Sequence, residues 1–225
     1  MGVVAERTGL EEGRMIGCAI PALKRVLCLG AHSDDVEIGC GGTILKLISR
    51  TPGLEFLWFV ASADEERRRE AHSSARNFLK DAAGAEIRVG NFRESYFPEQ
   101  WGGLKREIEK LKSRFAPDLI FTHYREDRHQ DHRTISELTW NTFRNHLILE
   151  YEVPKYDGDL GQPNLYVPLD AALCARKTDA LLKHFPSQTT KHWFRRNTFE
   201  AIARIRGIEC AAEYAEAYHC RKIVF

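Results

Sequence analysis

The sequence predicts an α/β fold of the Rossmann-like type, with a mainly parallel sheet and helices on both of its faces. Short apolar runs without polar alternation, such as residues 25–31, are typical of strands that are buried on both faces. These runs alternate along the chain with amphipathic segments of helical length. Because parallel strands need crossover connections, such alternation places helices on both faces of a sheet.

The apolar pattern assigns the individual elements in order. Residues 1–22 have no clear period, so we expect a loose N-terminal lead-in there and a single domain over residues 23–225. Apolar runs predict three buried strands, at residues 25–31, 56–61 and 118–123, and a short strand is predicted at residues 86–89. Apolar residues at helical spacing predict four helices, at residues 39–48, 65–82, 103–115 and 133–144. The pattern assigns no element to residues 147–206.

Composition and charge narrow the class of protein. The chain of 225 residues has 43% hydrophobic and 29% charged residues, as ordinary soluble globular proteins do. Its net charge of +1 gives no electrostatic basis for nucleic acid or an anionic membrane as a partner. No apolar run approaches the length of a membrane span. The six cysteines include no Cys-x-x-Cys pair, so we expect reduced core thiols in a cytoplasmic protein, either monomeric or homo-oligomeric.

Two polar clusters carry the functional signal. Residues 31–35 read Ala-His-Ser-Asp-Asp directly after the first predicted strand, and residues 129–132 read His-Gln-Asp-His in the segment after the strand at 118–123. In open α/β sheets, ligands bind beyond the carboxyl ends of the strands. We therefore expect the two clusters to meet in one crevice, despite their separation in sequence.

The residue types in these clusters suit a catalytic metal site. Catalytic zinc sites commonly take three protein ligands of the His and carboxylate type and leave one position for water, and His32, Asp35 and His132 fit that count. Iron(II) and cobalt(II) suit the same ligands as zinc. Asp34 would remain free as the general base for the water that the metal activates, and would later return the proton to the departing amine.

The remaining residues of the second cluster predict stabilisation of the intermediate. His129 lies three residues before His132 and can reach the same substrate. We expect Asp131 to hold the other ring nitrogen of His129, which would keep the imidazole protonated and able to stabilise an oxyanion.

These motifs resemble those of the PIG-L/LmbE-type zinc de-N-acetylases, which carry Ala-His-Pro-Asp-Asp after the first strand and a later His-Pro-Asp-His. The similarity extends to three further segments: glycine-rich residues 39–43, an Arg-x-x-Glu element at 67–70, and Tyr-Ala-Glu-Ala-Tyr at 214–218. The resemblance implies an LmbE-like fold and the same roles for the six residues named above. It also implies hydrolysis of the acetyl group from an N-acetylglucosamine-type sugar or sugar conjugate. Ser33 and Gln130 replace the usual prolines.

Other residues are weaker candidates. The candidate substrate contacts are Arg67, Arg68, His123, Tyr214 and Glu216. A solvated helix face explains the two arginines equally well, and a lone histidine at a strand end is more often a satisfied polar residue. Residues 191–196 could form a sugar-stacking rim, although a helix start with a packed tryptophan is the commoner arrangement. The glycine-rich segment lacks the spacing of a dinucleotide loop.

Two alternatives to a deacetylase stay open at this point. One is a hydrolase of another small acyl amide, and the other is a catalytically silent metal- or sugar-binding protein. Each acidic cluster by itself could also be a helix-capping turn. Asp34 discriminates between an enzyme and a binding protein, because a binding site needs no carboxylate beside a full ligand set.

Overall fold

The computed structural model describes Gly17, Ile20 and residues 23–224. The predicted lead-in therefore lies, apart from those first two positions, outside the described residues. Seven strands occur in the described part of the chain: β1 (Arg25–Gly30), β2 (Glu55–Val60), β3 (Gly84–Val89), β4 (Leu119–His123), β5 (Leu147–Tyr151), β6 (Leu165–Leu169) and β7 (Tyr214–Cys220). The α-helices of that part are α1 (Asp35–Arg50), α2 (Glu65–Phe78), α3 (Trp101–Arg114), α4 (Gln130–Thr142), α5 (Ala171–His184) and α6 (Arg196–Glu209).

All of these strands join one sheet, in the order β3-β2-β1-β4-β5-β7-β6. The strands β1 to β5 pair in parallel, whereas β7 is antiparallel to both β5 and β6. The predicted α/β class with a mainly parallel sheet is thus confirmed. The antiparallel β7 belongs to the part of the chain in which the apolar pattern assigned no elements.

Helices cover both faces of the sheet, as predicted. Successive side chains of β1 point to opposite faces, so Val26 and Cys28 enter one core and Leu27 and Leu29 enter the other. The first core also contains buried side chains of α1, α2, α5 and α6. The second contains side chains of α3 and α4. Burial of β1 on both faces is the physical reason for its continuous apolar run.

Two helices begin earlier than their apolar spacing indicates. The structure starts α1 at Asp35 and α4 at Gln130, whereas the sequence predicted starts at residues 39 and 133. The first turns carry polar residues that apolar spacing does not reveal, Asp35 in α1 and Gln130, Asp131 and His132 in α4. Asp35, Asp131 and His132 of the two motifs therefore lie in the first turns of these helices.

The glycine-rich segment packs α1 against the sheet. A Cβ atom on Gly39 would lie 2.1 Å from Cδ2 of Tyr151, and one on Gly42 would lie 2.5 Å from Cδ1 of Leu169. These glycines therefore serve close packing inside a helix, which explains why the segment lacks the spacing of a phosphate-binding loop. Four described cysteines are buried free thiols and a fifth is partly exposed, Cys28, Cys40, Cys174, Cys210 and Cys220. Among the described residues, no helix combines the length and apolar character needed to cross a membrane.

Candidate metal centre and active site

The two sequence motifs meet at the carboxyl edge of the sheet, as expected. His32 follows β1, Asp35 opens α1, and His132 lies in the first turn of α4. The Nδ1 atom of His32 lies 3.2 Å from Nε2 of His132 and 3.4 Å from Oδ2 of Asp35. The Nε2 atom of His132 lies 3.5 Å from Oδ1 of Asp35. Potential ligand atoms of three side chains thus converge, two ring nitrogens and both oxygens of Asp35, and all three side chains are buried.

The spacing of these atoms fits a divalent metal ion. Ligand atoms bound tetrahedrally at zinc distances of about 2.0–2.1 Å lie about 3.3–3.4 Å from one another. The 3.2 Å between Nδ1 of His32 and Nε2 of His132 is close to that value, and Asp35 faces the two rings with different oxygens, Oδ2 toward His32 and Oδ1 toward His132. Two sets of three donors lie within 4.8 Å of one another and could hold an ion: His32, His129 and His132, and Asp35, His123 and His132. The donor set therefore suits zinc, and equally iron(II) or cobalt(II).

The charge of the centre also favours a cation. Among the described residues, the ionic partners of Asp35 and Asp131 are histidine rings only. Burial opposes a proton on His32, yet the neighbouring Asp35 and Asp131 carboxylates raise its pKa to about 10. Burial raises the pKa of Asp35, but the His132 and His123 rings hold it well below its usual value. The carboxylates thus attract positive charge to the same place where the ligand atoms converge.

Each of the two histidines of the candidate metal centre has a carboxylate at its second ring nitrogen. The Nε2 atom of His32 lies 3.1 Å from Oδ2 of Asp131. The Nδ1 atom of His132 lies 2.9 Å from Oδ2 of Asp127. Such contacts fix the tautomer and the ring direction of a metal-binding histidine. The Asp131 carboxylate is itself held by the backbone N–H groups of Ser95 and Phe97, at 2.6 and 3.1 Å.

The expected contact between Asp131 and His129 through the carboxylate is wrong. The Asp131 carboxylate turns to His32, and only the backbone N–H of Asp131 contacts His129, donating to Nδ1 at 3.2 Å. Burial, together with the charges of His132 and His32, lowers the pKa of His129 to about 4. The ring is therefore neutral and carries its proton on Nε2, because Nδ1 accepts a hydrogen bond at the start of α4. His129 remains a hydrogen-bond donor, but not the imidazolium that the sequence suggested.

Asp34 lies outside the ligand set. Its position is the N-cap of α1, yet its side chain makes no capping hydrogen bond. Instead its Oδ1 atom accepts a hydrogen bond of 3.0 Å from Nη2 of Arg67. Burial raises the pKa of Asp34, and the Arg67 guanidinium opposes that shift. A carboxylate with this environment can accept and release a proton, which a helix cap does not require.

Arg67 is the predicted substrate contact that lies beside Asp34. Besides Asp34, its guanidinium donates to Oγ of Ser33 at 2.9 Å and to Oε2 of Glu94 at 3.0 Å. Arg67 lies in the first turn of α2. Asp64, the residue before that helix, caps it by accepting a hydrogen bond from the backbone N–H of Arg67. These contacts fix the guanidinium in one orientation next to Asp34.

His123 lies behind the centre and is completely buried. Its Nε2 atom accepts a hydrogen bond of 3.0 Å from the backbone N–H of Ala31 and lies 3.3 Å from Oδ2 of Asp35. Burial and the adjacent His132 lower the pKa of His123 to about 4. The prediction of a substrate contact is therefore wrong, because the ring has no exposed surface. It lies next to Asp35 on the inner side of the centre.

Three further predicted contacts serve the fold instead of the site. Arg68 donates to the backbone carbonyls of Val89 and Gly90, and so ties α2 to the end of β3. Glu216 accepts hydrogen bonds from the backbone N–H groups of Gly42 and Thr43 within α1. Tyr214 pairs with Leu169 in the sheet at the start of β7. The sequence predicted these three residues as substrate contacts, but in the structure they join helices and strands to one another.

Sequence reasoning missed Asp127, Glu94 and Lys155. Asp127 lies five residues before His132. This closeness in sequence to a predicted metal ligand is the feature that could have identified it. Lys155 donates to Asp127 at 2.9 Å across a long sequence separation, and no local pattern marks it. Burial raises the pKa of Asp127, but its contacts with His132 hold the value far below normal.

Comparison with known proteins adds sequence similarity to this geometry. A family model described as PIG-L, GlcNAc-PI de-N-acetylase, matches residues 27–143. The matched segment runs from β1 to the end of α4 and includes both motifs. The "Uncharacterized deacetylase YaiS" of Escherichia coli (strain K12) is 27% identical over 140 residues, which cover 58% of this chain and 75% of that protein.

Two solved structures have the same fold. The N,N'-diacetylchitobiose deacetylase from Pyrococcus horikoshii, complexed with its inhibitor MPG, has a TM-score of 0.65 at 24% identity, over 88% of this chain and 84% of that one. The conserved protein TT1542 from Thermus thermophilus has a TM-score of 0.69 at 22% identity, over 90% of this chain and 96% of that one. At these identities the likeness shows the fold, which is LmbE-like as predicted.

Proposed function

This chain belongs to the PIG-L/LmbE family of deacetylases, and from that membership we propose that it is a metal-dependent hydrolase of N-acetylated amino sugars. The substrate would be an N-acetylglucosamine-type sugar or conjugate, and the products would be acetate and the free amine. The observation that carries the proposal is the pairing of a complete metal-ligand set with a separate buried carboxylate, Asp34. Zinc is the ion we propose, because histidine nitrogen and carboxylate oxygen are among its usual ligands and both converge here.

His32, Asp35 and His132 would hold the ion, which when bound supplies a Lewis acid that makes water a better nucleophile at neutral pH. Asp34 would take a proton from the attacking water as the oxygen bonds to the acetyl carbon. The same carboxyl would then return the proton to the nitrogen as the C–N bond breaks. Arg67 holds Asp34 in place during both transfers, through the 3.0 Å contact.

His129 would stabilise the negative charge that develops on the acetyl oxygen. Its Nδ1 atom is occupied by the N–H of Asp131, so a neutral ring presents the Nε2–H toward the crevice. Its ring centroid is 4.9 Å from that of His32 and 4.7 Å from that of His132. A donor fixed at this position costs no reorganisation when the charge forms. Asp131 thus contributes in two ways, through its backbone to His129 and through its carboxylate to His32.

The choice of an amino sugar is supported by the family description and by the sugar named for the Pyrococcus horikoshii deacetylase. Hydrolysis of another small acyl amide would use the same groups and is the nearer alternative. A silent metal- or sugar-binding protein is less consistent with the site. Such a protein would keep a buried Asp34–Arg67 pair beside its ligands without any use for a proton acceptor.

The test separates metal binding from proton transfer. We expect Asp34→Asn to retain about one metal ion per chain and to lose acetate release by about two to four orders of magnitude, the usual effect of removing a general base. His32→Ala should lose both metal and activity. The measurements are elemental analysis of the purified protein and acetate release from a panel of N-acetylhexosamine conjugates and simple acyl amides. Asp81→Asn, at an exposed aspartate of the surface, is the matched control.

Wild-type activity of Asp34→Asn would rule out the proposed base. Metal without hydrolysis of any panel member by the wild-type protein would favour the binding protein. Activity on simple amides but on no amino sugar would select the nearer alternative.

A further inference from the structure

Aromatic side chains from two separate loops come together beside the candidate active site. The first loop, residues 152–161, follows β5 and carries Tyr156. The second, residues 189–195, precedes α6 and carries His192 and Trp193. The ring centroid of Tyr156 is 5.2 Å from that of His192 and 6.4 Å from that of Trp193. We call these three residues the aromatic rim.

The rim is exposed, yet its inner side is packed. The side chain of Tyr156 is 68% exposed, which is a large value for a tyrosine in an ordered loop. Trp193 is half-buried, because its inner side packs on the core cluster and on Phe194. Tyr and Trp offer an apolar body with a polar tip and lose little conformational entropy on binding. The rim is therefore a preformed surface suited to an amphipathic ligand.

Ion pairs fix the loop that carries Tyr156. At the start of the loop, Glu152 receives two hydrogen bonds from Arg206, at 2.9 and 2.6 Å. Arg206 also donates to the backbone carbonyl of Gly161 at the other end of the loop. In the middle, Lys155 bridges Asp159 and Asp127. A loop held at three points can present its exposed tyrosine in one position.

The same contacts tie the rim to the catalytic centre. Lys155, the residue before Tyr156, donates to the oxygen of Asp127 that also contacts Nδ1 of His132. On the other loop, Lys191 lies directly before His192 and Trp193, and its Nζ atom is 5.5 Å from the ring centroid of Trp193. The aromatic rim is thus continuous with the site that would hold the acetylated sugar.

We propose that Tyr156, His192 and Trp193 form a second subsite, which binds a pyranose ring linked to the acetylated amino sugar. The inference rests on the proposed function and adds a preference for conjugates over the free monosaccharide. The C–H face of a pyranose would stack on the exposed aromatic rings, since one face of a sugar is apolar and its edge carries hydroxyls. The ammonium of Lys191 and the ring of His192 can bond those hydroxyls. The Lys191 ammonium lies over the Trp193 ring and is thus already part of this surface.

Binding can be measured without turnover in an Asp34→Asn background, where calorimetry compares N-acetylglucosamine with N,N'-diacetylchitobiose. We expect the disaccharide to bind more tightly than the monosaccharide. Adding Tyr156→Ala should weaken disaccharide binding about threefold to tenfold, the value of one aromatic contact, and leave monosaccharide binding within about twofold. Tyr156→Phe is the matched control and should keep the preference, because the ring and not the hydroxyl provides the stacking surface.

Trp193→Phe extends the test to the second loop with little risk to folding, since it retains an aromatic ring on the core side. It should reduce the disaccharide preference less than Tyr156→Ala does. Equal affinity for the two sugars in the parent protein, or an unchanged preference in Tyr156→Ala, would overturn the second subsite and leave the proposed deacetylase intact. Failure of both sugars to bind would instead overturn the proposed substrate class and the subsite together.

Discussion

Carboxylates determine how the histidines of the candidate metal centre can act. Asp131 contacts Nε2 of His32 and Asp127 contacts Nδ1 of His132, so the opposite nitrogens are directed toward Asp35. Ser95 contributes to this arrangement although it adopts a positive φ of 69°, which is uncommon for a residue other than glycine. Its N–H donates to Asp131 at 2.6 Å. Strain of this kind persists where the surrounding contacts impose it, often at functional sites.

Asp131→Asn tests the orienting role. The substitution keeps the size of the side chain but removes the charge that faces His32. We expect metal affinity to fall about 10- to 100-fold, the usual effect of losing such a partner, with stoichiometric binding restored at high metal concentration. Competition with a chromophoric chelator measures the affinity. The exposed Asp81→Asn should match the wild type, and an unchanged affinity in Asp131→Asn would exclude the role.

The two departures from the family motifs have structural partners. Ser33, in place of the usual proline, accepts a hydrogen bond from Nε of Arg67. Gln130, also in place of a proline, donates from Nε2 to the backbone carbonyl of Ser95 at 3.2 Å. Proline could make neither contact, because its side chain has no hydrogen-bonding group. These residues therefore connect the motifs to the helix α2 and to the loop before α3.

At the scale of elements, a buried ion pair bonds to backbone groups in the middle of α1. The amide of Gly42 donates to Glu216 at 2.8 Å, and the carbonyl of Ile38 accepts from Nζ of Lys177 at 2.6 Å. Lys177 and Glu216 also bond each other at 2.6 Å. The pair joins α5 and β7 to the helix whose first turn holds Asp35.

Lys177→Met should be strongly destabilising. It leaves the carboxylate of Glu216 buried without its counter-ion, and such a change typically costs about 3–5 kcal/mol. Urea denaturation followed by circular dichroism measures the free energy of unfolding. Lys80→Met, at an exposed position just after α2, provides a control that should change it little. A loss below about 1 kcal/mol for Lys177→Met would mean that the pair does not support α1.

Helix starts also explain where the carboxylates lie. Asp35 and Asp131 occupy the first turns of α1 and α4. Unpaired backbone N–H groups at helix N-termini favour negative charge there. Both helices therefore point their positive ends at the crevice, and the acidic residues stabilise the helix starts as well as the candidate metal centre.

At the scale of the whole molecule, an ion in the centre would connect distant parts of the chain. His32 and His132 are 100 positions apart, and they belong to segments on opposite faces of the sheet. A metal that binds the folded chain and not the unfolded one stabilises the fold by mass action. The centre thus links folding stability to metal occupancy.

Metal removal should therefore lower the melting temperature. At a free metal concentration about 100 times the Kd, the stabilisation is about 2.7 kcal/mol, which corresponds to about 5–10 °C for a chain of this size. Differential scanning fluorimetry with and without a chelator measures the shift, and added zinc should reverse it. His32→Ala is the control, in which the chelator should have no effect. A wild-type melting temperature that ignores the chelator would contradict a metal site.

Much of the fold and of the site followed from local sequence features. The four predicted strands all exist. The strands β1, β2 and β4 are buried almost throughout and so leave a continuous apolar run that a short window reveals, whereas β3 is only partly buried. The convergence of His32, Asp35 and His132 followed from the position of both motifs after parallel strands. The elements after residue 147 were not assigned, and there the sheet turns antiparallel through β7, whose partners lie far away in sequence.

By itself, the sequence determined the α/β class, the family and the three donors that meet at the sheet edge, because periodicity and short motifs are properties of neighbouring residues. Only the tertiary structure decided three other features. The Asp131 carboxylate contacts His32 and not His129, His123 is completely buried, and Glu216 accepts a hydrogen bond from the backbone of α1. The physical reason is that a polar side chain takes the partner that folding brings within hydrogen-bond distance. Those partners, such as Ser95 and Lys177, lie in segments that no motif marks.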